Sequence, residues 1–595
     1  MFRRRFFVLG CMFLSALAFL LYRLYVIQIG DTEQFGVHRV NLVEAARRQQ
    51  EKVIASAPVR GQIEDRNGVS MLGRPPQGLI LFPHVWKNVP GQLWDRLAAA
   101  LDWPAERLRS AAARLDGPGF LPEPESGRPL FLTAEQARRL EAAALPGLLV
   151  LPYPVRYGEG MAGKHIVGYV SQDAAQVERL YPEELAKGLI TKTAPVGRAG
   201  LERAFEPFLQ GFGGRSGQRI VITVDGRGRP LMGRFNGLEA TDGGGDETPL
   251  TVRTAIDLAV QRLAENALDE ADVRKGAVVV LDIANGDILA MASRPDFDPN
   301  RVEPTSGAWN NLAVKQTIPG SVFKIVVAAA ALEEGLADAH TRFYCPGHWE
   351  EAHVTCWNKD GHGELTLADA FAQSCNVAFA QLAVRLGADT LERYAKRLGL
   401  LEPVGWRAPV LFKQRPFSQI DGEDPGQLFA PGTPRNDAGV LAQTAIGQRD
   451  VQITPLQAAH LVATIARDGE ALAPRLALSL HYRTGERLTE FATQRLNGAA
   501  LSPDTARLLR QLLRQVVEDG TGAALQAARW PVAGKSGTGE YVKGKTDNQW
   551  FVGYGPADAP RYAVAAVSID TPAEEKNKAV AVFLRVMDGL AARKN

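Results

Sequence analysis

Ser321 and Lys324 stand three residues apart at the head of an apolar run, and a hydroxyl beside an amine is the first sign of chemistry in this chain. In Thr317-Ile318-Pro319-Gly320-Ser321-Val322-Phe323-Lys324 a Pro-Gly pair ends whatever precedes it. From Val322 to Leu332 (VFKIVVAAAAL) the only polar residue is Lys324. Four consecutive alanines favour a helix, and a helix apolar on every side belongs in a core. Gly335 is placed to cap its C-terminus. On that helix positions i and i+3 share a face, and a serine in the first turn feels the positive end of the dipole. A serine hydroxyl is a weak nucleophile until a neighbour takes its proton. A lysine can take it only when neutral, and burial or a second nearby cation pushes its pKa down. One S-x-x-K occurs here, and about one is expected by chance in a chain of this length, so the pair alone decides nothing.

Two later motifs change the odds. Ser374-Cys375-Asn376 lies 53 residues downstream, and Lys535-Ser536-Gly537-Thr538 begins 161 residues after that, in a strand-like region. The ordered trio S-x-x-K, S-D-N, K-T-G is the signature of penicillin-binding proteins and serine β-lactamases. This sequence resembles it with S-C-N and K-S-G, changes that keep the hydroxyl, amide and ammonium groups.

The elements that must position these residues are spread along 595 residues, enough for two to four domains. With 46% hydrophobic and 23% charged residues the composition is globular. Formal charge is +2; the first 30 residues hold four arginines and no acid, so the rest carries +2 minus four, or −2. That balance offers no electrostatic argument for nucleic-acid binding. Arg3-Arg4-Arg5 precedes Phe6 to Tyr22, 17 uncharged residues, followed by Arg23. The spacing predicts an uncleaved membrane anchor, extended by snorkelling of Arg23, with the arginines on the cytoplasmic side and everything after residue 30 outside.

Along the chain, residues 1–30 read as cytoplasmic tip and anchor, 31–57 as a polar, helix-prone stalk, 58–245 as a first folded domain and 246–595 as a second. The boundary falls at the flexible break Asp242-Gly243-Gly244-Gly245-Asp246. Pro58 to Gly68 reads as a strand and an Asn-Gly turn, and Gly200 opens a short helix ending near Gly211. In the second domain Gly276 to Asp282 and Ile288 to Ala292 flank Asn285-Gly286 as a β-hairpin. Residues 532–540, 549–555 and 561–569 read as three strands in a meander closed by a helix from Ala579 to Ala591. Helices are expected over 365–386 and 454–468. Strands from both ends and helices from the middle predict an α+β fold with an antiparallel sheet assembled from distant segments.

The match extends further: PVRGQIEDRNG at 58–68, G-L-E at 200–202, LDIANGDILAMASRPDFDPN at 281–300, AIGQ and VQITPLQAA at 445–459, and Gln549 to Tyr554 all resemble class B penicillin-binding proteins, of the elongation or sporulation type. The resemblance implies a membrane-anchored pedestal (dimerisation) domain, then a D,D-transpeptidase domain that cross-links peptidoglycan stem peptides outside the cytoplasmic membrane and is acylated by β-lactams. It implies Ser321 as nucleophile, Lys324 as base and Ser374 as proton shuttle, with Asn376 bonded to substrate amide and Lys324. Lys535 would lower the pKa of Lys324 and, with Ser536, Gly537 and Thr538, bind the substrate carboxylate. The oxyanion hole would be the N–H groups of Ser321 and Thr538. Acyl transfer needs no cofactor. A membrane glycan polymerase is the implied partner. The alternatives are a D,D-carboxypeptidase or β-lactamase of the same fold, against which no E-x-x-L-N deacylation motif is present, and a non-catalytic scaffold for the polymerase.

Cys11 lies in the anchor. Cys345, Cys356 and Cys375 fall in a region rich in histidine (His340, His348, His353, His362). A disulfide suits an extracytoplasmic domain but leaves one thiol over; unpaired buried cysteines are a second reading. The third is a structural zinc on Cys345, Cys356, His362 and Cys375, a closed Cys₃His set. The resemblance to elongation-type members supports it in part, through the Gly361-His362-Gly363 segment.

Overall fold

The computed structural model describes residues 2–58, 60–212, 217–226, 237–241, 249–412, 416–496 and 500–593. The expected break at 242–246 lies outside the described residues. The N-terminal helix Phe2–Tyr25 continues as a π-helical turn to Gly30, and this 29-residue segment is long and apolar enough to cross a membrane. At about 1.5 Å per residue the 24-residue helix exceeds a hydrocarbon core of about 30 Å.

The described chain forms two compact units that do not follow the sequence linearly: residues 1–58, 75–156 and 215–242 make the first, and 59–74, 157–214 and 243–595 the second. In the first unit the expected stalk is only partly helical. Leu42–Gln50 is a helix capped by Asn41, but Glu51–Pro58 is a strand paired antiparallel with Gly217–Thr223, which in turn pairs with Gly237–Thr241. Pairing with a segment some 165 residues away decides the conformation, as tertiary context commonly overrides local propensity. A second sheet centred on Gln77–Leu81 packs through Leu79 and Leu81 against the helices Gly91–Leu101 and Ala134–Ala143.

Residues 59–74 and 157–214 join the second unit through buried polar bonds. The Arg60 guanidinium donates to Glu202 and Glu206, each at 2.5 Å, and to Gln210 at 2.8 Å. Ile63–Glu64 also pairs parallel with Thr251–Thr254.

The second unit is built on a five-stranded antiparallel sheet of β1 (Gly276–Asp282), β2 (Ile288–Arg294), β3 (Ala533–Val542), β4 (Thr546–Gly555) and β5 (Tyr562–Pro572), in the order β2-β1-β5-β4-β3. The expected hairpin and meander are both present, and Gly286 turns the hairpin at φ +78°. Strand residues alternate between two cores. Val278, Val280, Val564 and Ala566 pack on the closing helix Lys578–Ala592 and on Leu258–Glu270, while Val279, Val552 and Ala565 face the central helices. Pro455–Ala466, wholly buried, lies among those helices. Strands β2 and β3 are the two edges of the sheet.

Candidate active site

The Ser321 segment folds as expected with one refinement. Gly320–Phe323 is a 3₁₀ turn, and the α-helix α1 starts at Lys324 and runs to Glu333, with Gly335 in the left-handed region after it. In a 3₁₀ turn residues i and i+3 eclipse, which keeps Ser321 and Lys324 on one side. The turn is pressed on the sheet edge: a Cβ on Gly320 (φ +55°) would meet the carbonyl oxygen of Thr538 at 2.1 Å. A side chain on Gly537 would meet the Pro319 carbonyl at 2.6 Å. Ser321 and the Lys535–Thr538 segment are therefore backbone neighbours.

The expected helix over 365–386 is broken in two, α2 (Leu367–Ala372) and α3 (Asn376–Leu386). At the break Ser374 adopts φ +55°. A serine reaches that region at a steric cost of roughly 1–2 kcal/mol, and tertiary bonds hold it there. The Lys324 ammonium donates to the Ser374 carbonyl (2.7 Å), the Ser374 hydroxyl (3.2 Å) and Oδ1 of Asn376 (2.8 Å), while the Asn376 amide donates to the Thr355 carbonyl (3.1 Å).

Lys324 and Lys535 are both fully buried, and no carboxylate pairs with either among the described residues. Their ammonium groups face the Phe379 and Phe371 rings at 5.6 and 5.9 Å. Burial pulls Lys324 down to about 7, against a smaller opposing pull from negative charge on the neighbouring Cys375 and Cys356 sulfurs. Lys535 is pushed well below its ordinary value by burial and then by the Lys324 charge. Two buried ammonium groups in one site disfavour each other's charged form. Lys535 Nζ donates to the Ser536 carbonyl at 3.2 Å.

Two side chains with no role assigned from the sequence lie against β3 beside these groups. The Gln448 side-chain amide donates to the Thr538 carbonyl (3.3 Å) and accepts from the Glu540 N–H (3.1 Å), so alternate backbone groups of β3 face the free edge. The Thr521 and Ser536 hydroxyls lie 2.7 Å apart. Gln448 ends the A-I-G-Q run, but Thr521 sits in a D-G-T-G turn whose sequence announces only a turn.

Next to Ser374 the four expected metal ligands come together. Cys345, Cys356, His362 and Cys375 each place one ligand atom within 4.8 Å of the others. Cys345 ends a strand that pairs with Gly363–Thr366, which brings His362 beside it; Cys375 is the residue before α3. All four cysteines are free thiols, so no disulfide is formed. The three clustered sulfurs are buried, and His362 points Nδ1 at the Cys356 sulfur (3.5 Å) while its buried Nε2 has no partner among the described residues. The Cys375 thiol donates to Cys356 and holds the Cys356 thiol well below its usual range. Three sulfurs and one imidazole, with one thiolate already favoured, fit a closed tetrahedral zinc set.

Comparison with known proteins agrees with this fold. The family model described as the penicillin-binding protein transpeptidase domain matches residues 276–588, and that for the penicillin-binding protein dimerisation domain matches 55–244. Stage V sporulation protein D of Bacillus subtilis is 30% identical over 93% of this chain and 81% of its own length. The peptidoglycan D,D-transpeptidase PbpA of Mycolicibacterium smegmatis is 31% identical over 71% of this chain and 86% of its own. Among solved structures, a chain of a peptidoglycan synthase complex that coordinates polymerization and crosslinking aligns over 99% of both chains, with a TM-score of 0.65 and 27% identity. The chain belongs to the penicillin-binding protein transpeptidase family, with an N-terminal dimerisation domain.

Proposed function

We propose that the protein is a peptidoglycan D,D-transpeptidase working through a serine acyl-enzyme, anchored in the cytoplasmic membrane by its first helix with the catalytic unit outside. The observation that carries this is the wholly buried Lys324, tied to Ser374 and Asn376 and lacking an acidic partner among the described residues. A neutral amine keeps two N–H donors and one lone pair. The Ser374 carbonyl and Asn376 Oδ1 take the two donors, which leaves the lone pair for a hydroxyl proton. Ser321 gives that proton up as its Oγ attacks the carbonyl of the penultimate D-alanine of a stem peptide. The oxyanion is met by the N–H groups of Ser321 and Thr538, each worth about 3 kcal/mol. The peptide C–N bond breaks, and the leaving D-alanine takes the proton from Lys324 through Ser374. The amine of a second stem peptide then attacks the ester, forms the cross-link and returns the proton to Ser321. Lys535, Ser536 and Thr538 bind the substrate carboxylate, whose charge supplies the counter-ion the buried Lys535 ammonium lacks.

Fluorescent penicillin is expected to label the wild-type protein with slow release and to leave Ser321→Ala unlabelled. Labelling of Ser321→Ala would sink the acyl-enzyme, and rapid release would indicate a hydrolase instead.

Cys345, Cys356, His362 and Cys375 would hold a structural zinc, which supplies rigidity to the Ser374–Asn376 break and takes no part in acyl transfer. Purified protein is expected to carry about one zinc per chain, and Cys356→Ser to carry far less and to be acylated more slowly. Metal analysis showing no zinc in the wild-type protein overturns this. A membrane glycan polymerase is the proposed partner, supported by the full-length likeness to a chain of a peptidoglycan synthase complex.

A further inference from the structure

We propose that Thr521 is a positioning residue that fixes the Ser536 hydroxyl for the substrate carboxylate, an inference that rests on the carboxylate-binding role of the Lys535–Thr538 segment. Ser536 stands where the motif in its common form, K-T-G, has a threonine. Threonine's γ-methyl group restricts χ1, and serine, without it, samples its staggered wells freely. A hydroxyl that must point one proton at an anion then needs an outside partner. Thr521 is the partner, with its Oγ1 at 2.7 Å from Ser536 Oγ.

Thr521 is itself held. Its N–H donates to the Ala372 carbonyl at 3.1 Å and the next residue, Gly522, donates to the Val516 carbonyl at 2.9 Å. Asp519, two residues earlier, accepts from Gln373 Nε2 at 2.8 Å. The turn after helix Pro503–Glu518 is therefore fastened to the end of α2, two residues before Ser374, and reaches across to β3. Each hydroxyl carries one proton. When Thr521 donates to Ser536, the Ser536 proton is the one left over, and it is the one a carboxylate can accept. The shared bond also polarises the Ser536 O–H.

The test compares acylation of Thr521→Val, which keeps shape and loses the hydroxyl, with Thr521→Ser, which keeps the hydroxyl. The probes are benzylpenicillin and its methyl ester. With the acid, Thr521→Val is expected to lose about tenfold in acylation efficiency, the scale of one hydrogen bond to a charged group, through weaker initial binding and not a lower limiting rate. Thr521→Ser should stay within about twofold of wild type. With the ester, already slow, Thr521→Val should change little. In a Ser536→Ala background, Thr521→Val should have no further effect, and this arm also serves if the single variant is destabilised. The inference fails if Thr521→Val loses equally against acid and ester, if it is acylated like wild type, if Thr521→Ser is as impaired as Thr521→Val, or if Thr521→Val still costs activity in the Ser536→Ala background. Normal labelling of the wild type at Ser321 beside any of these results leaves the acyl-enzyme standing and removes only Thr521's role.

Discussion

Lys324→Met is expected to lose acylation by penicillin by about 10²–10⁴-fold, the usual worth of a positioned general base, while keeping its fold. The side chain is wholly buried against Phe379, so methionine fills a similar space and removes a desolvated amine rather than a surface charge. The wild-type rate should rise with pH through about 7, where burial places the Lys324 pKa, and level off above it, because only the neutral amine accepts the proton. Stability should move in the same direction. The folded pKa lies below the ordinary 10.5, so between the two values the unfolded chain holds a proton that the folded chain does not, and folding is favoured as pH rises across that window. Rapid-mixing acylation rates and equilibrium unfolding, each across this range, check both. A rate independent of pH on both sides of neutrality would remove Lys324 as the base.

Arg60→Met is expected to destabilise the second unit by about 3–5 kcal/mol, the range for removing one member of a buried charged set. The Arg60 side chain is 5% exposed, and Glu202 and Glu206, at 0% and 4%, would stay buried while losing the Arg60 charge. Tyr157 and Tyr181 donate to the same two carboxylates, at 3.2 and 2.9 Å, and cannot supply a charge. Replacing all three residues together by apolar or neutral ones should recover much of the loss, since the penalty lies in the buried carboxylate charge. Denaturant unfolding of Arg60→Met and of the triple variant measures this, and a midpoint unchanged in Arg60→Met would show that the network contributes little.

The parts of the site legible in the sequence are those set by short-range geometry or by rare residue types. Ser321 and Lys324 could be paired because three residues span one helical turn, whichever helix type forms. The β1–β2 hairpin followed from Asn285-Gly286, and the thiol–imidazole cluster from the scarcity of its members. What stayed hidden depends on distant segments. Nothing local marks Ser374 for a positive φ, which is imposed by bonds from Lys324, 50 residues away. Likewise, Thr521 and Gln448 enter through turns whose own residues specify only a change of direction. The stalk reading of 51–57 failed because its partner strand lies beyond residue 216, and residues 59–74 joined the second unit through a guanidinium whose carboxylates lie some 140 residues on.

The placement of β5 has a consequence for how the chain is made. Val279 of β1 pairs with Ala565 of β5, which also pairs with Val552 of β4, so the middle strand of the sheet follows both of its neighbouring hairpins in the chain. Until β5 has been made, β1–β2 and β3–β4 are two separate hairpins with no strand between them, a slow, high-contact-order assembly. A premature stop at residue 561 would leave every residue from Ser321 to Thr538 in the polypeptide and still abolish the enzyme. Proteases would then meet a pair of exposed strand edges.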